Sequence, residues 1–448
     1  MRKILFVVSP SLALYIQCKN ILKEAINDGD IVDIFLPKPL TYKNILSNLY
    51  VIENDLKIDK FLVLSNPLNP FSIKKLKVSE IKDLTYTYSF KLQLFLRISL
   101  SRIIGRFNLR FARAKIGDMI RLISSTNLFK KLIYINQIKS QYGFVLYDIF
   151  EENKSYIFPY LSSFYGLYRI SLFHGNGISW MHFGNKPFWT PLNKLKILDF
   201  TGLNKSLYNW SLINKNFDYQ VIGIPSHSYE KNNLLKNKNK ILKKLRSDLD
   251  LSEKTKFIAL ASRPDDNNWC NSCDRKLYLK IIGNYLFEKE DLHLLIRAHP
   301  KEKSYTKQDW ANLLGVKPNS KLFSITEKMP LELAAISEFG FSFVSDCCID
   351  FACFGKPMIE LTSEKDTLFM NNTPFFTYDG HPMTAPSALK LAINIKNIDE
   401  LNCIFKNLDI TYKKLSKDVR KAYYNCYELN AYKPGIFINL LKEIINVL

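Results

Sequence analysis

The amino-acid sequence predicts an α/β protein with two domains, each built on a parallel sheet that helices cover. The chain has 448 residues, which is more than one hydrophobic core usually supports. Of these residues 47% are hydrophobic, so each half can bury a core of its own. Short apolar runs alternate with helical stretches, an order typical of parallel sheets, and the alternation restarts at Lys256 after a polar interval.

The first domain is predicted to span residues 1–225. It begins with an apolar strand at Lys3–Ser9, a helix at Ser11–Asp28 and a second strand at Ile31–Leu36. Pro10 interrupts the apolar start, which favours a first strand over a signal peptide. Further strands are predicted from apolar runs bounded by turn residues: Phe61–Leu64, Phe144–Ile149, Tyr168–Phe173, Leu195–Phe200 and Tyr219–Ile224.

A basic helical insertion is predicted at about residues 73–140. Four arginines recur in it at steps of four, four and three residues, which places them on one helix face: Arg102, Arg106, Arg110 and Arg113. Such a face in the 91–140 region fits an anionic membrane surface or a polyanionic acceptor. The alternative is an ordinary solvated helix face.

The polar, Lys-rich stretch between the two halves is predicted to be a linker, at residues 226–254. The second domain follows at 255–430, and Leu389–Ile395 and Leu401–Leu408 within it are predicted to be helical. Residues 431–448 are predicted to form a terminal helix. The strands of the second domain are predicted at Lys256–Ala261, His293–Pro300, Leu322–Ser324, Phe341–Ser345 and Met358–Leu361.

The net charge of +21 and the pI near 9.4 indicate an anionic partner, namely nucleic acid, an acidic membrane surface or a phosphorylated substrate. The chain is also rich in Asn, Ile and Tyr, a bias typical of AT-rich coding that raises the Lys content without functional demand. No RNA- or DNA-binding motif accompanies the charge, so nucleic acid is not the favoured partner.

The eight cysteines do not form the spaced framework of a secreted protein and fit reduced thiols in a cytoplasmic enzyme. Cys270 and Cys273 have CxxC spacing, but no second pair stands at zinc-ribbon spacing, so no metal site is predicted there. No cofactor is predicted. No apolar run approaches the 18 or more residues that a membrane-spanning helix needs. The prediction is a cytoplasmic protein, soluble or peripheral on the inner face of the membrane.

The stretch Phe341–Leu361 predicts an anion-binding unit in the second domain. A strand leads into the turn Ser345–Cys348, a short helix follows, and Gly355 and Pro357 separate it from the next strand. The turn then lies at the carboxyl end of a parallel strand beside a helix N-terminus, where backbone N–H groups favour an anion. Open α/β sheets bind nucleotides at this edge.

Other polar side chains are predicted at the same edge. The run HLLIRAHP ends in Arg297, His299 and Pro300, and Arg263 follows the strand Lys256–Ala261. In the first domain the strand Tyr168–Phe173 ends at His174, which Gly175-Asn176-Gly177 follows. Two glycines mark a tight loop that can present His174 to a cleft.

The sequence has no GxGxxG after its first strand and no GxxxxGK[ST], so dehydrogenase and P-loop interpretations lose their main support. What is present resembles the GT-B superfamily, and within it the capsule and teichoic-acid group of CDP-glycerol glycerophosphotransferases, polysialyltransferases and capsule Kdo transferases. The resemblance covers most of residues 142–361. It rests on Phe173-His174-Gly175, Gly223-Ile224-Pro225, Arg297-Ala298-His299-Pro300, Ser345-Asp346-Cys347-Cys348-Ile349-Asp350 and Gly355-Lys356-Pro357.

The resemblance implies two Rossmann-like domains that face each other across a cleft, with the nucleotide donor on the second. It implies that the His-Pro pair and the turn Ser345–Cys348 hold the nucleotide phosphate, that Asp350 faces the ribose or the donor sugar, and that His174 or an acidic residue is the base. Asp148 and Asp199 are the acidic alternatives.

Two departures from the group are visible. Cys347 and Cys348 stand in place of its usual Ser-Ser turn, and because thiols are poor hydrogen-bond donors, phosphate contact is expected to depend on backbone N–H groups. The first-domain loop also lacks the Glu/Asp-Asp-Gly signature of polysialyltransferases, which disfavours a sialic acid donor.

The expected function is transfer of a glycosyl or polyol-phosphate group from a CMP, CDP or UDP donor to a surface polysaccharide, such as capsule or lipopolysaccharide, or to a lipid-linked acceptor. His174 is expected to deprotonate the acceptor hydroxyl, and Arg297 and His299 to stabilise the departing phosphate. No DxD cluster stands at a strand end, so no catalytic divalent ion is implied. The alternatives are a nucleotide-sugar 2-epimerase of the same fold and a basic nucleic-acid-binding protein.

Overall fold

The structure is a computed structural model that describes residues 1–8, 13–36, 45–64, 73–89, 91–92, 95, 143–148, 168–172, 195–200, 218–264, 270–289, 291–299, 302, 305–363, 380 and 383–447. The chain divides into two compact units. The first contains Met1–Gly175, His182–Pro225 and Tyr432–Leu448, and the second contains Asn176–Met181 and Ser226–Ala431.

The described part of the first unit contains one eight-stranded sheet. Its strands are β1 (Lys3–Val7), β2 (Ile31–Phe35), β3 (Phe61–Leu64), β4 (Ile73–Leu76), β5 (Phe144–Asp148), β6 (Tyr168–Leu172), β7 (Leu195–Asp199) and β8 (Asp218–Val221). They lie in the order β4-β3-β2-β1-β5-β6-β7-β8. All neighbours are parallel except β3 and β4, which pair antiparallel.

Among the described residues of this unit, three helices follow strands: α1 (Ala13–Asn27), α2 (Ile45–Leu56) and α3 (Val78–Tyr86). The last helix of the chain, Ile436–Val447, packs on α1. Two hydrogen bonds to Glu24 of α1 fix its approach, because Tyr432 Oη donates to Oε2 at 2.6 Å and the Gly435 amide donates to Oε1 at 3.2 Å. The C-terminal helix therefore belongs to the first unit.

The second unit contains, among its described residues, one six-stranded sheet in which every neighbouring pair is parallel. The strands are β9 (Lys256–Ala261), β10 (Leu292–Arg297), β11 (Phe323–Ile325), β12 (Ser337–Ser342), β13 (Met358–Leu361) and β14 (Ile393–Ile395). Their order is β11-β10-β9-β12-β13-β14.

Helices cover both faces of the second sheet. They are α4 (Pro225–Asp248), α5 (Ser272–Glu288), α6 (Lys307–Leu314), α7 (Pro330–Ile336), α8 (Cys347–Cys353), α9 (Ala385–Ala388) and α10 (Ile398–Cys426). The C-terminal helix of the first unit is α11. One face packs against α5, α6 and α10 around residues such as Leu279, Trp310 and Leu401. On the other face, Phe257 and Leu295 pack against α7 and the apolar side of α4. The core of this unit is thus two apolar layers separated by the sheet.

Local sequence explains where several of these helices begin and end. Asn271 caps α5 by accepting from the Asp274 amide at 2.8 Å, and Asn397 caps α10 by accepting from the Glu400 amide at 3.0 Å. After α8, Gly355 has φ +65°, and a Cβ there would lie 2.7 Å from Arg420 Nε. Gly355 therefore ends this helix in a left-handed conformation that favours glycine.

Four segments differ from the sequence predictions. Strand β12 spans Ser337–Ser342, whereas the strand was predicted at Phe341–Ser345. The stretch 226–254, predicted as a linker, is mostly helix α4, because Ile241, Leu242 and Leu245 form a narrow apolar stripe that packs on the second sheet. The predicted helical insertion begins with strand β4 at Ile73–Leu76, which pairs with β3. The segment 389–395 contains strand β14, whose Ile393 pairs with Ile359 of β13.

No helix in the described ranges is both long enough and apolar enough to span a membrane.

Candidate functional site

The parallel second sheet brings residues from three separate motifs to one edge. Strand β9 ends at Ala261 just before Arg263, β10 ends at Arg297 just before His299, and β12 ends at Ser342 just before the turn. The Ser262 amide donates to the Arg297 carbonyl at 3.1 Å, which extends the pairing of β9 and β10 past the strand ends. Arg263, Arg297 and His299 are each half-buried. The edge therefore carries two guanidinium groups and an imidazole.

A buried ion pair fixes the backbone at this edge of the sheet. Glu302 is 1% exposed, and its Oε1 accepts from Arg275 Nη2 at 2.6 Å and from Ser262 Oγ at 3.1 Å. Its Oε2 accepts from the His299 amide at 3.0 Å. One carboxylate thus joins helix α5, the end of β9 and the loop after β10.

Arg275 is also fixed by the residues around it. Its Nε donates to the Arg263 carbonyl at 3.0 Å, and its guanidinium lies 6.0 Å from the Trp310 ring centroid and 5.6 Å from that of Phe343. Burial raises the pKa of Glu302, and its hydrogen bonds and Arg275 oppose that shift. The arrangement sets the backbone that carries Arg263 and His299.

The turn after β12 contains a strained residue. Val344 has φ +53°, in the left-handed region that a β-branched side chain rarely adopts. Strain of this kind costs about 1–3 kcal/mol and collects at functional sites. Directly after it, Ser345 is half-buried and Asp346 is exposed, so the turn presents a hydroxyl and a carboxylate at the edge.

The backbone amides at the start of α8 are used within the turn. The Cys347 amide donates to Ser345 Oγ at 3.3 Å, the Cys348 amide to the Ser345 carbonyl at 3.2 Å, and the Ile349 amide to the Asp346 carbonyl at 3.0 Å. The expectation that backbone N–H groups here take over the phosphate contact is therefore not met by these three amides. They already have partners in this conformation.

The two thiols of the turn face the protein interior. Cys347 is 8% exposed and Cys348 is fully buried. Burial raises the pKa of both thiols, and Asp350 raises them further, while Arg297 opposes the shift at Cys347. Both thiols are neutral at physiological pH, and a thiol is a poorer hydrogen-bond donor to phosphate than a hydroxyl. The half-buried side chains of Arg263 and Arg297 therefore carry positive charge at this edge, and the thiols carry no charge.

Asp350 is engaged in a buried network that the sequence did not reveal. Its Oδ1 lies 2.8 Å from His227 Nε2, and His227 Nδ1 lies 2.6 Å from Tyr423 Oη. Burial alone lowers the pKa of an imidazole, but Cys353 and Asp350 outweigh burial and raise the pKa of His227 to about 10. A protonated His227 then donates from both ring nitrogens, to Asp350 and to Tyr423. Asp350 Oδ1 therefore contacts His227, whereas the resemblance assigns Asp350 to the ribose or sugar.

Glu360, on β13, is a second acid that sequence reasoning did not single out. It is fully buried, and its Oε2 accepts from the hydroxyls of Thr384 and Ser387, the latter at 3.1 Å. Burial raises the pKa of Glu360 to about 7, with Asp346 adding to the shift and Arg263 opposing it. In the strand register Glu360 pairs with Ser342, the last residue of β12, so Glu360 lies at the end of the sheet that leads into the turn. A lone acid within the apolar run MIEL was the sequence signal available for it.

Other predicted residues lie elsewhere or outside the described ranges. His174, Pro300 and nearly all of the basic 91–140 region, including its four arginines, are outside the described residues. Asp148 is the last residue of β5. Asp199, the last residue of β7, is buried; its Oδ1 accepts from the Phe200 amide at 2.7 Å and its Oδ2 accepts from Tyr219 Oη.

Comparison with known proteins places the fold. No protein-family model matches the chain, and no curated protein matches it in sequence. Among solved structures, the S. aureus MnaA–UDP co-structure is similar over 100% of this chain and 98% of that one, with 13% identity and a TM-score of 0.54. A UDP-GlcNAc 2-epimerase from Neisseria meningitidis bound to UDP-GlcNAc matches over 99% and 100%, with 12% identity and a TM-score of 0.53.

A glycosyltransferase from Rickettsia africae ESF-5 also aligns over 99% of this chain and 97% of that one, with 15% identity and a TM-score of 0.45. Identities this low show the fold alone. Solved structures with TM-scores above 0.5, including the MnaA–UDP co-structure and the Neisseria meningitidis epimerase, and the two mainly parallel sheets confirm the predicted α/β fold class. The chain has two Rossmann-like α/β domains.

Proposed function

We propose that the chain transfers a glycosyl or polyol-phosphate group from a CMP, CDP or UDP donor to a polysaccharide or lipid-linked acceptor. The observation that carries the proposal is the cluster of Arg263, Arg297 and His299 at the carboxyl edge of the second sheet, beside the strained turn at Val344. Open α/β sheets bind nucleotides at this edge, and guanidinium groups bind phosphate with good geometry.

In the proposed reaction the donor phosphates lie on the cationic side chains of the second unit. Negative charge grows on the phosphate as its bond to the transferred group breaks, and fixed cations such as Arg297 stabilise that charge. Arg263 and His299 assist, because the Glu302 ion pair fixes the backbone on which both stand. Ser345 and Asp346 are proposed to line the same site from the turn.

His174 is proposed as the base that removes the acceptor hydroxyl proton. Its support is the sequence: it follows the apolar run of β6 and precedes Gly175-Asn176-Gly177. Asp199 supports this choice indirectly, since two hydrogen bonds already occupy its carboxylate oxygens. The proton goes from the acceptor hydroxyl to the imidazole as the acceptor oxygen bonds to the transferred group.

The proposed acceptor is a surface polysaccharide such as capsule or lipopolysaccharide, which the resemblance to the capsule and teichoic-acid group suggests. The net charge of +21 and the basic 91–140 region support an anionic partner, either a polyanionic acceptor or an anionic membrane surface. The proposed location is the cytoplasm, at the inner membrane face. Nucleic acid is disfavoured because no recognition motif accompanies the charge.

The second candidate is a nucleotide-sugar 2-epimerase. It is favoured by one observation: the structures with TM-scores above 0.5 include one named as a UDP-GlcNAc 2-epimerase. Both candidates require a nucleotide site in the second unit, and they differ in the reaction. An epimerase changes the sugar and leaves it on UDP, whereas a transferase releases the nucleotide and extends an acceptor.

A donor panel tests the proposal. The full chain is incubated with CDP-glycerol, CMP-Kdo, CMP-sialic acid or UDP-GlcNAc, first alone for thermal shift and then with capsule or lipopolysaccharide acceptor for product analysis. Transfer predicts that one donor raises the melting temperature and that free nucleotide appears only with acceptor. Conversion of UDP-GlcNAc to its 2-epimer without acceptor would establish the second candidate. If no donor binds or reacts, both candidates are wrong.

A further inference from the structure

Five residues form one row across the second sheet, each on a different neighbouring strand. In the strand register, Arg297 pairs with Ala261, Ala261 with Ser342, Ser342 with Glu360, and Glu360 with Asn394. Registered neighbours in a parallel sheet project from the same face. Arg297, Ala261 and Ser342 are the last residues of their strands, and the other two stand one residue before the end. The row thus lies at the candidate donor edge.

Three members of this row carry a buried oxygen that has no hydrogen-bond partner: Ser342 Oγ, Glu360 Oε1 and Asn394 Oδ1. Ser342 and Glu360 are fully buried. The orientation of Asn394 is fixed, because its Nδ2 donates to Thr362 Oγ1 at 2.9 Å while that hydroxyl donates to the Ile395 carbonyl at 3.0 Å. The unpaired atom is therefore its carbonyl oxygen.

Unpaired buried polar atoms destabilise a fold, so native proteins rarely keep several together without a use. A site built to hydrogen-bond a substrate hydroxyl does leave such groups unpaired when that hydroxyl is missing. The two ends of the row differ chemically. One end has the guanidinium of Arg297 with the small Ala261 next to it, and the other end has three unpaired oxygens. Cations attract phosphate, whereas acceptor oxygens repel it.

We infer that this row orients the nucleotide donor, with its phosphates toward Arg297 and a hydroxyl-bearing part toward Ser342, Glu360 and Asn394. A hydroxyl suits all three oxygens because it can donate to Asn394 and can donate to or accept from the other two. The hydroxyl comes from the ribose or from the transferred glycosyl or polyol group. The inference rests on the proposed donor site of the second unit and adds the specificity residues for it.

The strand β12 offers a matched pair of variants. Ser342 and Ser337 are both fully buried, both have an Oγ without a partner, and they stand at opposite ends of the strand. Ser342→Ala removes an oxygen of the row, and Ser337→Ala removes an equivalent oxygen far from the edge. Neither substitution leaves a new unpaired group, so both proteins are expected to fold.

The dissociation constants of CDP, UDP, their 2′-deoxy forms, CDP-glycerol and UDP-GlcNAc are measured by calorimetry for the full chain and both variants. Ser342→Ala is expected to weaken binding of the recognised ligand about three- to tenfold, the range of one neutral hydrogen bond, and Ser337→Ala to leave it unchanged. A ribose contact gives the loss with CDP or UDP and none with the deoxy forms. A contact to the transferred group gives it only with CDP-glycerol or UDP-GlcNAc.

Two results would overturn the inference. Ser342→Ala could bind every ligand as the unmodified protein does, or both variants could lose affinity equally. Either result would mean that the row does not contact the donor, and neither would contradict the proposed donor site itself. If the unmodified protein binds none of the six ligands, the proposed function itself is wrong, and the inference falls with it.

Discussion

Replacing Glu302 by Gln tests how the candidate donor edge is held. The Glu302 carboxylate and the Arg275 guanidinium are 2.6 Å apart, and their side chains are 1% and 3% exposed. Gln keeps the shape but removes the charge, and a guanidinium cannot shed its proton to compensate. Breaking a buried pair in this way costs about 3–5 kcal/mol, so Glu302→Gln is expected to lower the free energy of unfolding of the second unit by that amount.

The partner substitution is expected to behave differently. Arg275→Met leaves a buried carboxyl, which can take up a proton and become neutral. Burial raises the pKa of Glu302 above its ordinary value of 4.5, and without Arg275 it rises further. The folded state then holds a proton that the unfolded chain releases above about pH 4.5, so stability falls as the pH rises. At pH 5, Arg275→Met is expected to lower the free energy of unfolding by less than Glu302→Gln does. The loss that Arg275→Met causes is expected to be larger at pH 8 than at pH 5.

The assay is a urea titration at pH 5 and pH 8, with hydrogen-exchange mass spectrometry of peptides from β9 and β10 as the signal for the second unit. The control is Lys256→Met, which breaks a 3.0 Å pair with Asp291 whose side chains are 58% and 46% exposed and should cost under about 1 kcal/mol. If Glu302→Gln costs no more than this control, the ion pair does not hold the edge.

Four further outcomes are expected. The raised pKa of His227 means that its contribution to stability is complete below pH 6.5 and is lost as the pH rises toward 10. His227→Gln should remove this fall in the free energy of unfolding, measured by urea titrations at several pH values. The same dependence on pH in the variant and the unmodified protein would contradict the network. Lys356 Nζ donates to the carbonyls of Ala334 and Ala335 at 2.7 and 2.8 Å, so Lys356→Met should cost about 1–3 kcal/mol of stability, while the exposed Lys406→Met should cost almost nothing. His299→Ala should weaken nucleotide binding at least about tenfold, the loss of about 1.5–3 kcal/mol for a charge-assisted contact; equal affinity by calorimetry would make His299 structural. His174→Ala should reduce turnover about 10²–10⁴-fold with donor binding intact, and a normal rate with the correct acceptor would remove it from the mechanism.

Short apolar runs bounded by turns predicted the strands well. Lys256–Ala261 and Met358–Leu361 have the predicted bounds, because a buried parallel strand needs a continuous apolar run. The run at 389–395 suits a helix or a strand equally, and only its pairing with β13 decides for the strand. In α4 the many lysines and asparagines concealed the apolar stripe that packs on the sheet. In both segments tertiary contacts decided the structure.

For the candidate site, local motifs predicted which strand ends carry charge. They could not predict the buried pairs that hold those ends, because Arg275 and Glu302 are 27 residues apart and His227 and Asp350 are 123 apart. Nor does a sequence show which side of a short helix faces inward, so the full burial of Cys348 was not predicted. The packing of the folded chain determines which distant residues become partners and which side of a helix is buried.

Hydrogen exchange of the full chain with CMP, CDP, UMP and UDP tests the proposed donor site most directly. The account predicts that at least one nucleotide slows exchange in peptides that cover Ser262–Arg263, Arg297–His299 and Val344–Cys348, and that Arg297→Ala abolishes this protection at the same nucleotide concentration. Protection confined to peptides of the first sheet, or no protection at the second sheet by any of the four nucleotides, would contradict it.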